Sequence, residues 1–428
     1  MKHRYVLSLF SSAGIGELGV KAAGLKILLS NELLESRCEL YKENFPETES
    51  ICGDIWSEKE KIIKTWQSYG VGEPYMIYAT PPCQGMSFNG IGKLLSEIRA
   101  GRRPKEDPRN RLIIPTVDII KTLRPQWVIL ENVPTMENTI IRLEDNTYRN
   151  IIEFIREELS DEYILKAEKV NCADFGIPQT RIRLITILCR SPKGKMHYQN
   201  EQTYIPARTH SETCEDGLLP WVTLKESIGR LPTLEAERGH NENSTIPWHI
   251  VPIMKPEKLW WVRQTPMDET AYNNQCVACG CKTNPNHGMC FINGIHQSKK
   301  DTPIYCNQCG ALLPRPTMID KKTGKRRLIK GFDSAYRRMS WDAPAPTLTQ
   351  NFQYEASDKK LHPSQNRVLS VYEGLIIQSI KDYSYKFEIK GKKVNRNQLC
   401  KVIGESVPPK LIEILCNHIL SIDQNNDK

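Results

Sequence analysis

The chain has 428 residues, enough for two domains or for one domain carrying a large insertion. Its 39% hydrophobic and 25% charged content excludes a largely disordered protein, and no apolar stretch approaches the length of a membrane span. Lys+Arg 59 against Asp+Glu 50 gives a net charge of +9, which suits a polyanionic partner without requiring one. The opening MKHRYVLSLFSSAG imitates a secretion signal, but its apolar run is short and contains Ser8, so it reads as a first strand. A cytoplasmic, reducing compartment follows, where the 14 cysteines are thiols or metal ligands rather than bridges.

In chain order, Val6–Phe10, Lys26–Ser30, Met76–Ala79, Val128–Leu130 and Ile182–Leu188 read as strands. Glu32–Glu43, Glu58–Trp66, Leu112–Leu123 and Asn150–Glu158 read as helices. Alternating strands and helices imply parallel pairing and a doubly wound α/β sheet, with ligands outside the carboxyl ends of its strands. After about Arg190 the pattern fails, and up to about Gln365 the chain is rich in Pro, Asn and Trp. We read 1–190, completed by 365–428, as the catalytic unit and 191–364 as a smaller irregular domain. Helical periodicity returns at Val368–Ile380 and Pro409–Ile419.

The strand ends carry the chemistry. Phe10 closes the first strand and SSAGIGELG opens a helix, where Gly14 and Gly16 let the backbone approach a ligand. Glu32 and Asp54 follow the second and third strands, which together point to a nucleoside-containing cofactor; no P-loop motif is present. In YMIYATPPCQGMSFNG, Pro81 and Pro82 fix the backbone before Cys83, and WVILENVPTM places Glu131 and Asn132 on the same rim. A thiol and a carboxyl facing one pocket suit covalent catalysis; the alternative is a buried filler thiol and a turn-capping acid. FGIPQTRIRLITI sends Gln179, Arg181 and Arg183 to one face of a strand, suited to phosphate or to a carbonyl that gains charge. The alternative there is an exposed edge strand with solvated charges.

CVACGC and YCNQCG supply two C-x-x-C knuckles, each followed by glycine. Cys276, Cys279, Cys306 and Cys309 have the spacing of a structural zinc ribbon, inserted at about 272–314, with Cys281, Cys290 and His287 as spare candidates. The basic run Lys321–Arg327 reads equally as a groove-entering segment or as a solvated hairpin tip.

LFSSAGIGELG, NELLESRCELYKENFP, GDI, TPPCQGMS, DPRNRL, RPQWVILENV, PQTRIRLITI and GESVPP occur in this order. Together they resemble the ordered motifs of the DNA (cytosine-5)-methyltransferase family of bacterial restriction–modification systems. The resemblance implies an S-adenosylmethionine-dependent, Rossmann-like methyltransferase domain plus a target-recognition domain. It makes Cys83 the nucleophile that attacks carbon 6 of a flipped-out cytosine, and Glu131 the acid at ring nitrogen 3. Arg183 would hold the cytosine carbonyl and Arg181 the nucleophile's surroundings. Phe10, Gly14, Ile15, Gly16, Glu32, Asp54, Ile55, Pro82 and Ser406 would hold S-adenosylmethionine. Ser87, Arg338, Thr347 and Thr349 would meet double-stranded DNA. The basic segment after Cys83 would be the loop that closes on the target.

The chain departs from the family's pattern at Ser12, where a glycine is usual, and at Glu405, where asparagine is usual and a carboxylate could repel the cofactor's own. The expected protein is a monomer in a prokaryotic cytoplasm, with a cognate restriction endonuclease as a separate partner. Rival readings are an RNA (tRNA) cytosine-5 methyltransferase and a non-catalytic zinc-ribbon DNA-binding protein on the same scaffold.

Overall fold

The computed structural model describes residues 4–82, 107–292, 295–298, 301–329 and 334–424. Five strands, β1 (Tyr5–Leu9), β2 (Lys26–Glu32), β3 (Glu49–Cys52), β4 (Met76–Ala79) and β5 (Trp127–Asn132), pair in parallel in the order β3-β2-β1-β4-β5. Crossovers carry α1 (Ile15–Ala22), α2 (Glu35–Asn44), α3 (Ile55–Ser68) and α4 (Ile113–Leu123) between them, and α5 (Ile151–Leu159) follows β5. Both faces are covered, which is why β4 and β5 are apolar at nearly every position. Leu7 and Leu9 of β1 face the helices α3, α4 and α5, while Val6 faces the other layer.

That other layer is built from α1 and the C-terminal α8 (Pro409–Gln424), which follows α6 (Val371–Ile377) and α7 (Arg396–Glu405) in the chain. Gly19 allows α1 and α8 to touch, because a Cβ there would lie 2.2 Å from the Pro409 carbonyl oxygen. Asp423 near the end of α8 accepts from Tyr75, Trp127 and Ser191, pinning the last helix to the opposite edge of the sheet from the strand-end motifs.

The sequence reading expected an all-parallel sheet, and here it is corrected. Two further strands, β6 (Ile164–Asn171) and β7 (Ile182–Cys189), extend the order as β5-β7-β6, and β7 is antiparallel to both neighbours. The link between β6 and β7 holds one short helical turn, Cys172–Phe175, too little chain for a crossover helix. The alternating, half-exposed ILKAEKVN of β6 was not among the expected strands.

Between 191 and 364 the described chain forms only short helices and strands of two to four residues. Trp261, Tyr272, Tyr336, Leu361 and Val368 form a core of their own here, with Trp261 edge-on to Tyr336 at 5.8 Å. Leu224, Ile228 and the stretch from Met339 to Phe352 instead pack with Ala13, Ile15 and Leu40 and with residues of α6 and α7. The basic run Lys321–Arg327 lies on a hairpin between Thr317–Ile319 and Arg326–Leu328, where Arg327 pairs with Asp320. Among the described residues no helix is long and apolar enough to cross a membrane.

Glu17 on α1 is buried, accepts from Ser8 Oγ at 2.5 Å, and burial pushes its carboxyl up to about 7 against that hydrogen bond. Because the folded value is raised, its stabilising contribution is complete below pH 4.5 and is lost as pH rises through about 7. Glu17→Gln is therefore expected to leave urea stability at pH 5 nearly unchanged and to raise it at pH 8 by on the order of 3 kcal/mol. Equal pH dependence in the two proteins would show that the charge of Glu17 carries no such cost.

Candidate active site

The turn after β1 is the first wall of the site. Phe10 (φ 58°), Ser12 (φ 46°) and Gly14 (φ 82°) all sit in the left-handed region, which costs non-glycine residues about 1 kcal/mol each or more. Among the bonds that hold the turn, Thr80 Oγ1 donates to the Phe10 carbonyl at 2.9 Å, Ser11 N to Asn31 O at 3.0 Å, and Ser12 N to Glu32 Oε2 at 2.9 Å. Strain retained this way is common where a ligand is bound. No side chain caps α1 at Gly14, leaving its first amides, at Ile15 and Gly16, for another acceptor.

Glu32 closes β2, and its other oxygen accepts from Leu34 N at 2.9 Å. Burial, with the nearby Glu405 adding to it, holds its carboxyl above the usual range despite those two amide bonds. Asp54 is exposed and starts α3 by accepting from Trp56 N at 3.0 Å, while the Ile55 side chain is buried in the core. Leu33, Leu34 and Trp56 are exposed apolar side chains beside these acids, and none of them was picked out from sequence. The only hint was their position, directly after an acid at a strand end.

Pro81 and the half-buried Pro82 follow β4. Asn132 Nδ2 donates to the Pro81 carbonyl at 3.0 Å, while its Oδ1 accepts from Val133 N at 2.8 Å. With Thr80 tied to Phe10, the root of the Cys83 segment is anchored to the strands on both sides. Cys83 and Ser87 themselves lie outside the described residues, as does most of the basic segment that follows them.

Next to this root, Glu131 is buried and Arg183 Nε meets its Oε1 at 2.9 Å. Burial raises the Glu131 carboxyl, and Arg183 and then Arg181 oppose that rise. The pair forms because β7 is antiparallel: Leu184 pairs with Asn132 and Ile185 with Glu131, so the start of β7 meets the end of β5. A parallel β7 would have carried Arg183 to the other edge of the sheet, about 20 Å away for six residues of strand. Gln179, Arg181 and Arg183 are buried and Ile182 is exposed, so the expected alternation holds.

Arg181, which also restrains the Glu131 carboxyl, reaches the backbone as well. It donates to Leu348 O at 2.8 Å and to Gly404 O at 3.3 Å. Gln179 links to Gln378 Oε1 at 2.7 Å and accepts from Leu348 N at 2.9 Å. Both residues therefore staple the β7 entry to the returning C-terminal segment. Ser406 Oγ accepts from Gln378 at 3.1 Å and donates to Ile403 O at 2.8 Å. Among the DNA candidates, Thr349 is exposed, whereas Thr347 Oγ1 donates to Thr180 O at 3.1 Å.

Arg338 requires a correction. It is buried, and its guanidinium donates to the carbonyls of Thr265, Val262, His362 and Gln365 and to Asn366 Oδ1. All five donors are used, so it frames the interior and is not a phosphate contact.

The four knuckle cysteines converge. Their sulfur atoms all lie within 4.8 Å of one another, with Cys276–Cys279 at 3.5 Å, Cys276–Cys309 at 3.6 Å and Cys279–Cys306 at 3.7 Å. Gln308 N and Asn284 Nδ2 donate to Cys306 Sγ. The spare candidates separate from this cluster: Cys281 pairs with Thr283, and His287 is buried against Tyr272 with Nδ1 2.7 Å from Thr302 Oγ1. The Cys290 side chain is outside the described residues.

The sheet order, the antiparallel β7 and the charged carboxyl rim define the Rossmann-like fold of S-adenosylmethionine-dependent methyltransferases. Solved structures share it: the Entamoeba histolytica methyltransferase EhMeth at TM-score 0.56, 14% identity and full coverage of both chains, and S. pombe Dnmt2 at TM-score 0.53, 12% identity, covering 99% of this chain and 100% of that one. The model of the C-5 cytosine-specific DNA methylase family matches residues 5–421, and the chain belongs to that family. It is similar to the type II methyltransferase M1.HgaI of Avibacterium volantium, 28% identical over 97% of this chain and 98% of the relative. It is also similar to M1.HphI of Haemophilus parahaemolyticus, 26% identical over 98% and 87%.

If Arg338 is a frame residue, Arg338→Ala should lower unfolding stability by roughly 3 kcal/mol or more, since several buried carbonyls lose their partner. The slope of DNA affinity against salt should stay as in the wild type. A flatter slope with unchanged stability would restore the phosphate role.

Proposed function

We propose that the chain transfers a methyl group to carbon 5 of a cytosine flipped out of duplex DNA, as the modification enzyme of a type II restriction–modification system. The observation that supports this most is the buried Glu131–Arg183 pair beside the anchored Pro81–Pro82 root of Cys83. Cys83 adds through sulfur to carbon 6 while Glu131, whose raised carboxyl favours a held proton, donates to ring nitrogen 3. The ring then carries an enamine whose carbon 5 is nucleophilic. After alkylation a solvent water takes the carbon 5 proton, the Cys83 thiolate leaves carbon 6, and the proton on ring nitrogen 3 returns to Glu131, which restores the aromatic ring. Arg183 fixes Glu131 and stands next to the cytosine carbonyl, and Arg181 keeps the β7 entry in place.

S-adenosylmethionine supplies an electrophilic methyl on a sulfonium sulfur. The donor set fits it: Glu32 for a ribose diol, Asp54 with Ile55 at the adenine, exposed Leu33 and Trp56 as apolar walls, and the uncapped start of α1 with Phe10, Gly14, Ile15 and Gly16 at the methionine end. Pro82 and Ser406 complete the rim.

Residues of about 191–364 act as the target-recognition domain, with Thr349, Thr347 and Ser87 toward the DNA backbone. Its insertion holds one structural zinc at Cys276, Cys279, Cys306 and Cys309. Tetrahedral thiolate coordination at about 2.3 Å sets sulfur atoms about 3.8 Å apart, close to the 3.5–3.7 Å spacings here. Four thiolates leave no open position, so the metal takes no part in the chemistry. A separate endonuclease of the same specificity, and a monomer acting in a prokaryotic cytoplasm, complete the reading.

Tritiated methyl from the cofactor should enter duplex DNA and not tRNA. Cys83→Ser should abolish transfer, and Glu131→Gln should lower kcat by about 10²–10⁴-fold. Label in tRNA alone would redirect the substrate assignment, and an active Cys83→Ser protein would remove the covalent mechanism. Metal analysis should return about one zinc per chain, with Cys306→Ser costing folding of the insertion rather than chemistry. Metal-free protein of full stability would refute the zinc.

A further inference from the structure

The two positions at which the chain leaves the family's pattern are in contact. Ser12 Oγ donates to Glu405 Oε1 at 2.7 Å. The same carboxylate accepts from Arg37 Nη2 at 3.2 Å and from Gln350 Nε2 at 3.0 Å, and Arg37 Nε lies 2.9 Å from it as an ion pair without a hydrogen bond. Arg37 comes from α2, Ser12 from the turn after β1, Gln350 from the returning segment, and Glu405 from the last position of α7. Gly404 makes the approach possible, since a Cβ there would sit 2.2 Å from the Thr349 backbone. Four stretches distant in sequence thus meet at one carboxylate, whose side chain is 25% exposed against 7% for Arg37.

Two physical points give this cluster a role. Arg37 offsets much of the charge of a carboxylate at 405 at ion-pair distance, although Glu405 still helps to raise the neighbouring Glu32 carboxyl. The negative charge at this position is thus compensated in part by its own partner. Ser12, in turn, sits at φ 46°, where a glycine would cost nothing. A serine held there at a cost has a use for its hydroxyl, and the hydroxyl goes to Glu405. Its amide goes to Glu32, so the two halves of Ser12 bridge the ribose acid and the clasp.

We infer that Glu405 is a positioning residue for the cofactor: with Arg37 behind it, it sets the Ser12 turn, and through the Ser12 amide it sets Glu32. The inference rests on the cofactor reading above. It deepens that reading by naming a paired serine–glutamate solution in place of the glycine and asparagine usual in the family.

The test measures S-adenosylhomocysteine binding to the full chain by titration calorimetry, alongside thermal unfolding and steady-state kinetics. Ser12→Gly should unfold no earlier than the wild type, because it releases the strained φ, yet bind the probe about tenfold more weakly. Glu405→Ala should raise KM for S-adenosylmethionine by at least that factor with kcat and the KM for DNA nearly unchanged. The double variant should be no weaker than Glu405→Ala alone, since both changes remove the Ser12–Glu405 contact. Wild-type affinity in Ser12→Gly, or losses that multiply in the double variant, would overturn the inference. Wild-type protein that binds no probe would instead overturn the cofactor reading itself.

Discussion

The direction of one strand governs the whole site. Because β7 runs antiparallel to β5, the first residues of β7 arrive where β5 ends, and Arg183 meets Glu131 in a buried ion pair. Neither charge would be tolerable alone at that depth. Burial lifts the Glu131 carboxyl above the usual carboxylate range, while the Arg183 and Arg181 guanidinium groups restrain that rise. The acid's neighbour is a proline strap whose carbonyl is held by Asn132, so the segment that carries the thiol leaves the sheet at a fixed point.

A second theme is how much of the polar chemistry goes into holding backbone. Asn132, Gln179, Arg181 and Arg338 all direct their side chains at main-chain groups, and Thr80 does the same for the strained turn at Phe10. The C-terminal segment is the main beneficiary. It returns across the molecule to pack α8 on α1 and to set Gly404 against Thr349, closing the cofactor side of the rim. The irregular region between has an aromatic core of its own around Trp261, Tyr272 and Tyr336, and beside the knuckles, among the described residues, Cys276, Cys306 and Leu313 form a small separate buried cluster.

What could be read from the sequence follows a physical line. The strand-end motifs were legible because polar residues directly after apolar runs have to lie on a sheet's rim, and the convergence of the knuckles because paired C-x-x-C turns are a recognisable spacing. Strand direction was not legible, since an apolar run reads the same way in either sense; the all-parallel sheet was the cost. The half-exposed β6 carried too many charges to register as a strand. Arg338 was misjudged because a sequence does not tell whether an arginine's donors are spent inside. The partners of Glu405 were invisible for a different reason: Arg37 and Gln350 lie 368 and 55 residues away, and neither a motif nor a periodicity tells which distant side chains meet.

The most direct test of the central claim is denaturant-stable trapping on a duplex that carries 5-fluorocytosine at the methylated position, with S-adenosylmethionine present. Fluorine cannot leave carbon 5 as a proton does, so a sulfur–carbon bond once formed persists. The wild type should give a one-to-one protein–DNA adduct whose cross-linked peptide contains Cys83, and Glu131→Gln should form it far more slowly. Methylation of ordinary duplex at full rate, with no adduct on the fluorinated one, would contradict a mechanism built on that bond.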